Sequence, residues 1–302
     1  VWPFIGRGFN RPYKGAFIGL LWFFMPNNLC AIFIEGNLAR SLSMIFLPVF
    51  IYSVYKYLYN HKLRYIPLMV FTFLLMELCH LGYAGMVAIA VIIYGIVYMI
   101  QKGRKKAVLD VVISMIFGFM LLGIWLVASL RGGITSLDNS ENMANFFQNL
   151  WITINPFERL TRGFEYFYFG FAALVVIVFG ILFGYKKSRT GFVTGFIILL
   201  MTTKSAYAVL KHLPGSQYLW MLRFISIALC MILMSFLMWD RLKKTLVLML
   251  CVLLVVDTIP SLSLIVGEHN DISVQERMVA RQDSTLISSA QAVTKQRLAL
   301  MD

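Results

Sequence analysis

The stretch YIPLMVFTFLLMELCHLGYAGMVAIAVIIYGIVYMI, residues 65–100, decides the fold. It carries one carboxylate, Glu77, and neither lysine nor arginine. A helix rises ~1.5 Å per residue and needs roughly 20 apolar residues to cross ~30 Å of hydrocarbon, so this run is too long for one span. Splitting it at His80-Leu81-Gly82-Tyr83 predicts two helices, over 65–80 and 83–100, joined by a tight turn. A single long tilted helix would instead invert the direction of everything that follows.

The same reading extends along the chain. Its 302 residues are 60% hydrophobic and only 14% charged, with a mean hydropathy of +0.77, far beyond the needs of a soluble core. Polar breaks place nine spans near 15–33, 42–59, 65–80, 83–100, 107–129, 166–185, 191–206, 218–239 and 245–266. The expected fold is all-α, a polytopic transmembrane helical bundle. Its transmembrane domain covers 1–266, and 267–302 is read as an external tail that begins a further domain. Val1 is no initiator, so the bundle is expected to be truncated at its front.

Charge gives the direction. The clusters Arg7/Arg11/Lys14, Lys62/Arg64, Lys102/Arg104/Lys105/Lys106, Lys186/Lys187/Arg189 and Arg241/Lys243/Lys244 fall on every second connection. Basic loops stay in the cytoplasm, which places the remaining loops outside. Glu35, Asp138, Glu141, Glu158, Glu165, Glu268, Asp271, Glu276 and Asp283 all fall on that other side. The net charge of +13 therefore reads as cytoplasmic retention, with the bilayer as partner and no nucleic acid. The longest external loop, 131–165, repeats Met143, Phe147, Leu150, Trp151 and Ile154 at helical spacing, which fits a short helix in the interface or one packed on the bundle. Cys30, Cys79, Cys230 and Cys251 lie in or beside apolar runs and read as free buried thiols.

Ionisable groups near membrane depth are costly, so they are the first functional suspects. Glu77 and His80 stand three residues apart at the external end of the third span. Glu35 and Arg40 share the loop Glu35-Gly36-Asn37-Leu38-Ala39-Arg40, and a carboxylate there could act as a general base. Each has a plainer reading, as an interhelical partner, an interface side chain or an ordinary loop charge. Pro26-Asn27-Asn28 breaks the first span and leaves polar backbone that must line a cavity or be buried in protein. Arg223, in Leu222-Arg223-Phe224, wants an anion, either a phosphate or a carboxylate such as Glu77 or Asp257, unless it snorkels to the interface. Arg159, Arg162, Lys204, Lys211 and His212 could add positive potential on the same side.

Several strings carry a family resemblance: Glu35-Gly36 with Leu38-Ala39-Arg40 and Leu47-Pro48; Leu74-Leu75-Met76-Glu77-Leu78-Cys79-His80-Leu81; Leu213-Pro214 with Leu222-Arg223-Phe224; and Ala290-Gln291-Ala292-Val293-Thr294-Lys295-Gln296-Arg297. Together they resemble the bacterial YfhO-like and 6-pyruvoyl-tetrahydropterin-synthase-related membrane proteins, grouped with GT-C glycosyltransferases. The resemblance implies an enzyme of the bacterial cytoplasmic membrane that moves a sugar from a polyprenyl-phosphate carrier to an external acceptor. It implies Arg223, Arg40, Arg159, Arg162, Lys211 and His212 as lipid-phosphate contacts, and Glu35 and His80 as catalytic candidates behind an acidic residue expected upstream of Val1. Trp220-Met221-Leu222 stands where the family often has Pro-Trp before its arginine. The chemistry needs no organic cofactor, and no ligand spacing argues for a metal, although the external carboxylates leave room for a divalent ion. The rival readings are a transporter or lipid flippase using Glu77, His80, Arg223 and Asp257, and a scaffold for envelope assembly without activity of its own.

Overall fold

The computed structural model describes residues 1–33, 36–131, 169–184, 186–212, 221–239 and 244–259. The chain divides into a unit Val1–Leu264 and a second, Ile265–Asp302. The second, the loop helix expected over 143–154, Glu35, Arg159 and Arg162 lie outside the described residues.

The first unit is built from helices: α1 Trp2–Gly8, α2 Pro12–Phe24, α3 Pro26–Phe33, α4 Leu38–Asn60, α5 Tyr65–Cys79, α6 Leu81–Lys102 and α7 Lys105–Arg131, then α8 Phe171–Phe183, α9 Lys186–Met201, α10 Lys204–Leu210, α11 Phe224–Met238 and α12 Lys244–Val256. Among the described residues four helical segments are long and apolar enough to cross a membrane: Leu38–Asn60, Leu81–Lys102, Lys105–Gly123 and Met221–Met238. The pair α2 and α3 makes a fifth if it counts as one span bent by 59°. Three shorter apolar helices, Tyr65–Cys79, Phe171–Phe183 and Leu246–Val256, accompany them.

Local chemistry explains the breaks. The run 65–100 does divide at His80, whose extended backbone (φ −155°, ψ 93°) ends α5 and starts α6. Its ring Nδ1 accepts the Tyr83 N–H at 3.1 Å, a side-chain N-cap. The bend between α2 and α3 follows from Pro26. Met25 before it is forced extended (ψ 133°), and Pro26 has no N–H to offer the Trp22 carbonyl four residues back. The Asn28 side-chain amide donates to that carbonyl instead. Of the two outcomes expected for this polar backbone, a cavity lining or burial in protein, the Trp22 carbonyl takes the second and is satisfied within the protein.

Helix α11 is the axis of the unit. Every side chain from Phe224 to Leu237 is buried, and α2, α4, α6, α8 and α9 pack against it. A helix apolar on all sides needs such a jacket. On α9, Gly191 and Gly195 form a small-residue stripe that lets the two backbones approach. A Cβ on Gly191 would meet Ser235 Oγ, and one on Gly195 would stand 2.5 Å from Ile232 Cγ1. Outside this core, Phe71, Ile96, Ile113, Phe117, Leu182 and Leu248 are exposed, a surface suited to lipid rather than water.

The two ends of the bundle differ. At one, Arg11 donates to Trp239 O (2.7 Å) and Lys14 to Phe236 O (2.5 Å), cations at the negative end of α11. Lys56 reaches Gly8 O at 2.6 Å, and Arg104 contacts His61. Tyr59 and Gln101 both hydrogen-bond Thr190. These contacts bring the starts of α2, α7 and α9 together with the ends of α4, α6 and α11, so four of the five basic clusters share one end.

Because Gly195 faces Ile232 while Gly85 faces open space, Gly195→Ala is expected to cost about 1–3 kcal/mol. Gly85→Ala is expected to be neutral or stabilising by about 0.5–1 kcal/mol. Thermal unfolding of the two variants in detergent checks the contrast.

Candidate functional site

At the end opposite the basic connections, a set of polar side chains is enclosed where α3, α4, α6 and α11 begin. Arg40 lies in the first turn of α4, its N–H accepted by the capping Asn37 Oδ1 at 2.9 Å. That turn carries its side chain inward, and the residue is 0% exposed. Its guanidinium donates to Asn27 Oδ1 at 3.3 Å and lies 5.9 Å from the centre of the Tyr83 ring, within cation–π reach. Asn27 is also fully buried and turns its amide toward Leu222 O at 3.5 Å. The break at Pro26 is what aims Asn27 here.

Tyr83 is the hub. It is fully buried, and its hydroxyl shares a 2.8 Å hydrogen bond with Ser226 Oγ on α11. Ser226 Oγ in turn donates to Arg223 O at 2.9 Å. Arg223 closes the 3₁₀ turn Met221–Arg223 that leads into α11 and is half-buried. The His80 ring meets the Tyr83 ring edge-on, centroids 6.5 Å apart. Because His80 Nδ1 accepts a backbone N–H, its neutral ring carries the proton on Nε2 and is a donor there.

The structure therefore places Arg40 and His80 against Tyr83, and links Tyr83 through Ser226 to the backbone carbonyl of Arg223. It does not join Glu77 to them as an i, i+3 pair, because α5 ends at Cys79 and His80 stands outside the helix. Glu77 is 2% exposed and turns toward α7, where a Cβ on Gly118 would come within 3.8 Å of its Oε2. That oxygen has no hydrogen-bond partner among the described residues. Lys211 and His212 are exposed in the turn after α10. Asp257 has a separate post: its carboxylate accepts the N–H groups of Ala172 (3.2 Å) and Ala173 (2.9 Å), capping α8 from the turn that follows α12. Gly170, at φ +89°, leaves the space, since a Cβ would collide with that carboxylate.

Asn27, Tyr83 and Ser226 are the members that pattern reading missed. Asn27 had a signal in Pro26-Asn27-Asn28, but Tyr83 and Ser226 sit singly inside apolar runs. Among the described residues no group of three or more His, Cys, Asp or Glu could hold a metal.

A family model described as "6-pyruvoyl-tetrahydropterin synthase related domain; membrane protein" matches residues 1–265. The chain belongs to this family. Neither a curated protein nor a solved structure matches it. The family match spans the whole first unit and agrees with its long apolar helices, so this family member is a helical membrane protein.

Asp257→Ala removes the acceptor for two buried N–H groups and is expected to cost about 1–3 kcal/mol of stability. Gly170→Ala disturbs the same contact, so the double variant should lose less than the sum of the singles. Thermal melts of the three variants check both statements.

Proposed function

We propose that the chain is a GT-C-like glycosyltransferase of the bacterial cytoplasmic membrane that takes a sugar from a polyprenyl-phosphate carrier, with about nine spans and its site on the external face. One observation carries the reading: a fully buried arginine, Arg40, lies in a polar cluster at the end away from the basic connections, where Arg223 closes the turn into α11. Positive charge gathered against the topological bias has a use where an anion must be bound. Guanidinium groups suit it, because their forked donors match phosphate oxygens.

In this reading Arg40 and Arg223 hold the carrier phosphate, with Arg159, Arg162, Lys211 and His212 adding positive potential from the external loops. A carboxylate, with Glu35 the candidate in this chain, takes the proton from the acceptor hydroxyl. The acceptor oxygen attacks the anomeric carbon as the bond from that carbon to the phosphate oxygen breaks, and the lipid phosphate leaves with the electron pair. The arginines stabilise the charge that grows on it. His80, a donor through Nε2, orients a sugar or phosphate oxygen rather than serving as the base.

Transfer of labelled sugar by the full-length protein, reconstituted in lipid with a polyprenyl-phosphate donor, tests the proposal. Arg40→Met and Arg223→Met are expected to lower transfer by about a hundredfold or more, and Tyr83→Phe by less. Arg40→Lys should not restore it, since an ammonium lacks the fork. Full activity in Arg223→Met contradicts the assignment. Movement of label across the bilayer without transfer replaces it with the transporter reading.

A further inference from the structure

A groove of about 280 Å³ lies where the bend between α2 and α3 meets α4. Trp22 and Asn28, both buried, make its floor, and Phe23, Ile32, Leu42 and Ile45, all exposed, make its rim. The helices that carry these residues are apolar enough to cross a membrane. The rim therefore opens to hydrocarbon, and an occupant arrives from the bilayer.

The floor holds polar atoms that the protein does not use. Asn28 is 4% exposed, and its Nδ2 is committed to the Trp22 carbonyl, where it replaces the N–H that Pro26 lacks. That bond fixes the amide plane and turns Oδ1 to the opposite side. Oδ1 is buried and has no hydrogen-bond partner among the described residues. Trp22 is 8% exposed, and its indole N–H also has no partner among them. Ser41, the hydroxyl in the lining, donates to Asn37 O at 2.9 Å and is not the missing donor. Elsewhere in the bundle such groups are met from a neighbouring element, because a buried acceptor left unmet costs stability.

The chemistry of the lining selects the occupant. A plain hydrocarbon chain fits between the rim residues but brings no donor for Oδ1. A charged headgroup finds no cation or carboxylate among the described lining residues. Water wants several polar partners, and this lining is mostly apolar. A hydroxyl on a lipid chain answers both orphan atoms, since it donates to Asn28 Oδ1 and its oxygen accepts from the Trp22 N–H. We propose that the groove is a binding site for a neutral lipid alcohol of the diacylglycerol type, its chain between the rim residues and its hydroxyl on the floor. The groove lies on the lipid side of α4, whereas Arg40 turns inward, and its occupancy does not depend on the glycosyltransferase reading.

The test places the full chain in phosphatidylcholine nanodiscs that contain either dioleoylglycerol or its deoxy analogue, in which hydrogen replaces the hydroxyl. Lipid retained per protein and the thermal midpoint are followed as each additive is titrated. Saturable binding of the alcohol is expected, roughly fivefold tighter than that of the deoxy analogue, which is the worth of one neutral hydrogen bond. Equal binding of the two overturns the proposal, because the groove then takes hydrocarbon alone and Asn28 is met by water. Asn28 also serves the Trp22 carbonyl, so the location is tested at the rim instead. Ile45→Trp fills the groove and is expected to abolish the preference for the alcohol. Ile113→Trp, at an exposed position of α7 away from the groove, should leave it unchanged. A preference that survives Ile45→Trp, or one that Ile113→Trp removes equally, also overturns the proposal.

Discussion

Helix α11 is enclosed on every side, and the polar groups at its two ends must therefore be met by neighbouring side chains rather than water. Its negative end presents Phe236 O and Trp239 O to Lys14 and Arg11. At its start, Leu222 O faces Asn27 and Arg223 O receives Ser226. Donors on the opening helices thus fix the axis of the bundle at both ends. The same requirement orders the jacket, where Asn28 replaces the N–H that Pro26 lacks and Asp257 caps α8. In an apolar surrounding each such group left unmet costs several kcal/mol.

The candidate site is a by-product of that constraint. Closing the start of α11 brings the break at Pro26, the first turn of α4 and the His80 cap of α6 to one place. Asn27, Arg40 and Tyr83 are then packed around the entry to α11, with Arg223 at its edge. A structural network of this kind is already preorganised, since its side chains are locked by burial and by one another. Such rigidity is what a phosphate clamp needs, and it links the stability of the bundle to the function proposed for it.

Much of this was legible in the sequence. Hydropathy identified the long helices, and residues 65–100 divided where His80-Leu81-Gly82-Tyr83 said they should. The alternation of basic clusters matched the contacts of Arg11, Lys14, Lys56 and Arg104 at one end. Less legible was anything that depends on which way a side chain turns. The spacing of Glu77 and His80 implied a shared face, but that inference assumes helix through His80, and the chain leaves helical geometry there. Tyr83 and Ser226 gave no signal, because a single hydroxyl in an apolar run looks the same facing lipid or a buried partner. Asp257 stood as one of several alternatives for Arg223, whereas the structure shows it accepting backbone N–H groups of α8, which leave no mark in sequence.

The central claim is that the polar cluster around Tyr83 receives the phosphate of a lipid carrier. The most direct measurement is an experimental structure of the full-length protein with a polyprenyl phosphate bound. The account predicts phosphate oxygens within hydrogen-bond distance of the Arg40 or Arg223 guanidinium, at the end of the bundle away from the basic connections. A well-ordered phosphate elsewhere, with Arg40 still stacked on Tyr83 and both arginines remote from it, would contradict it.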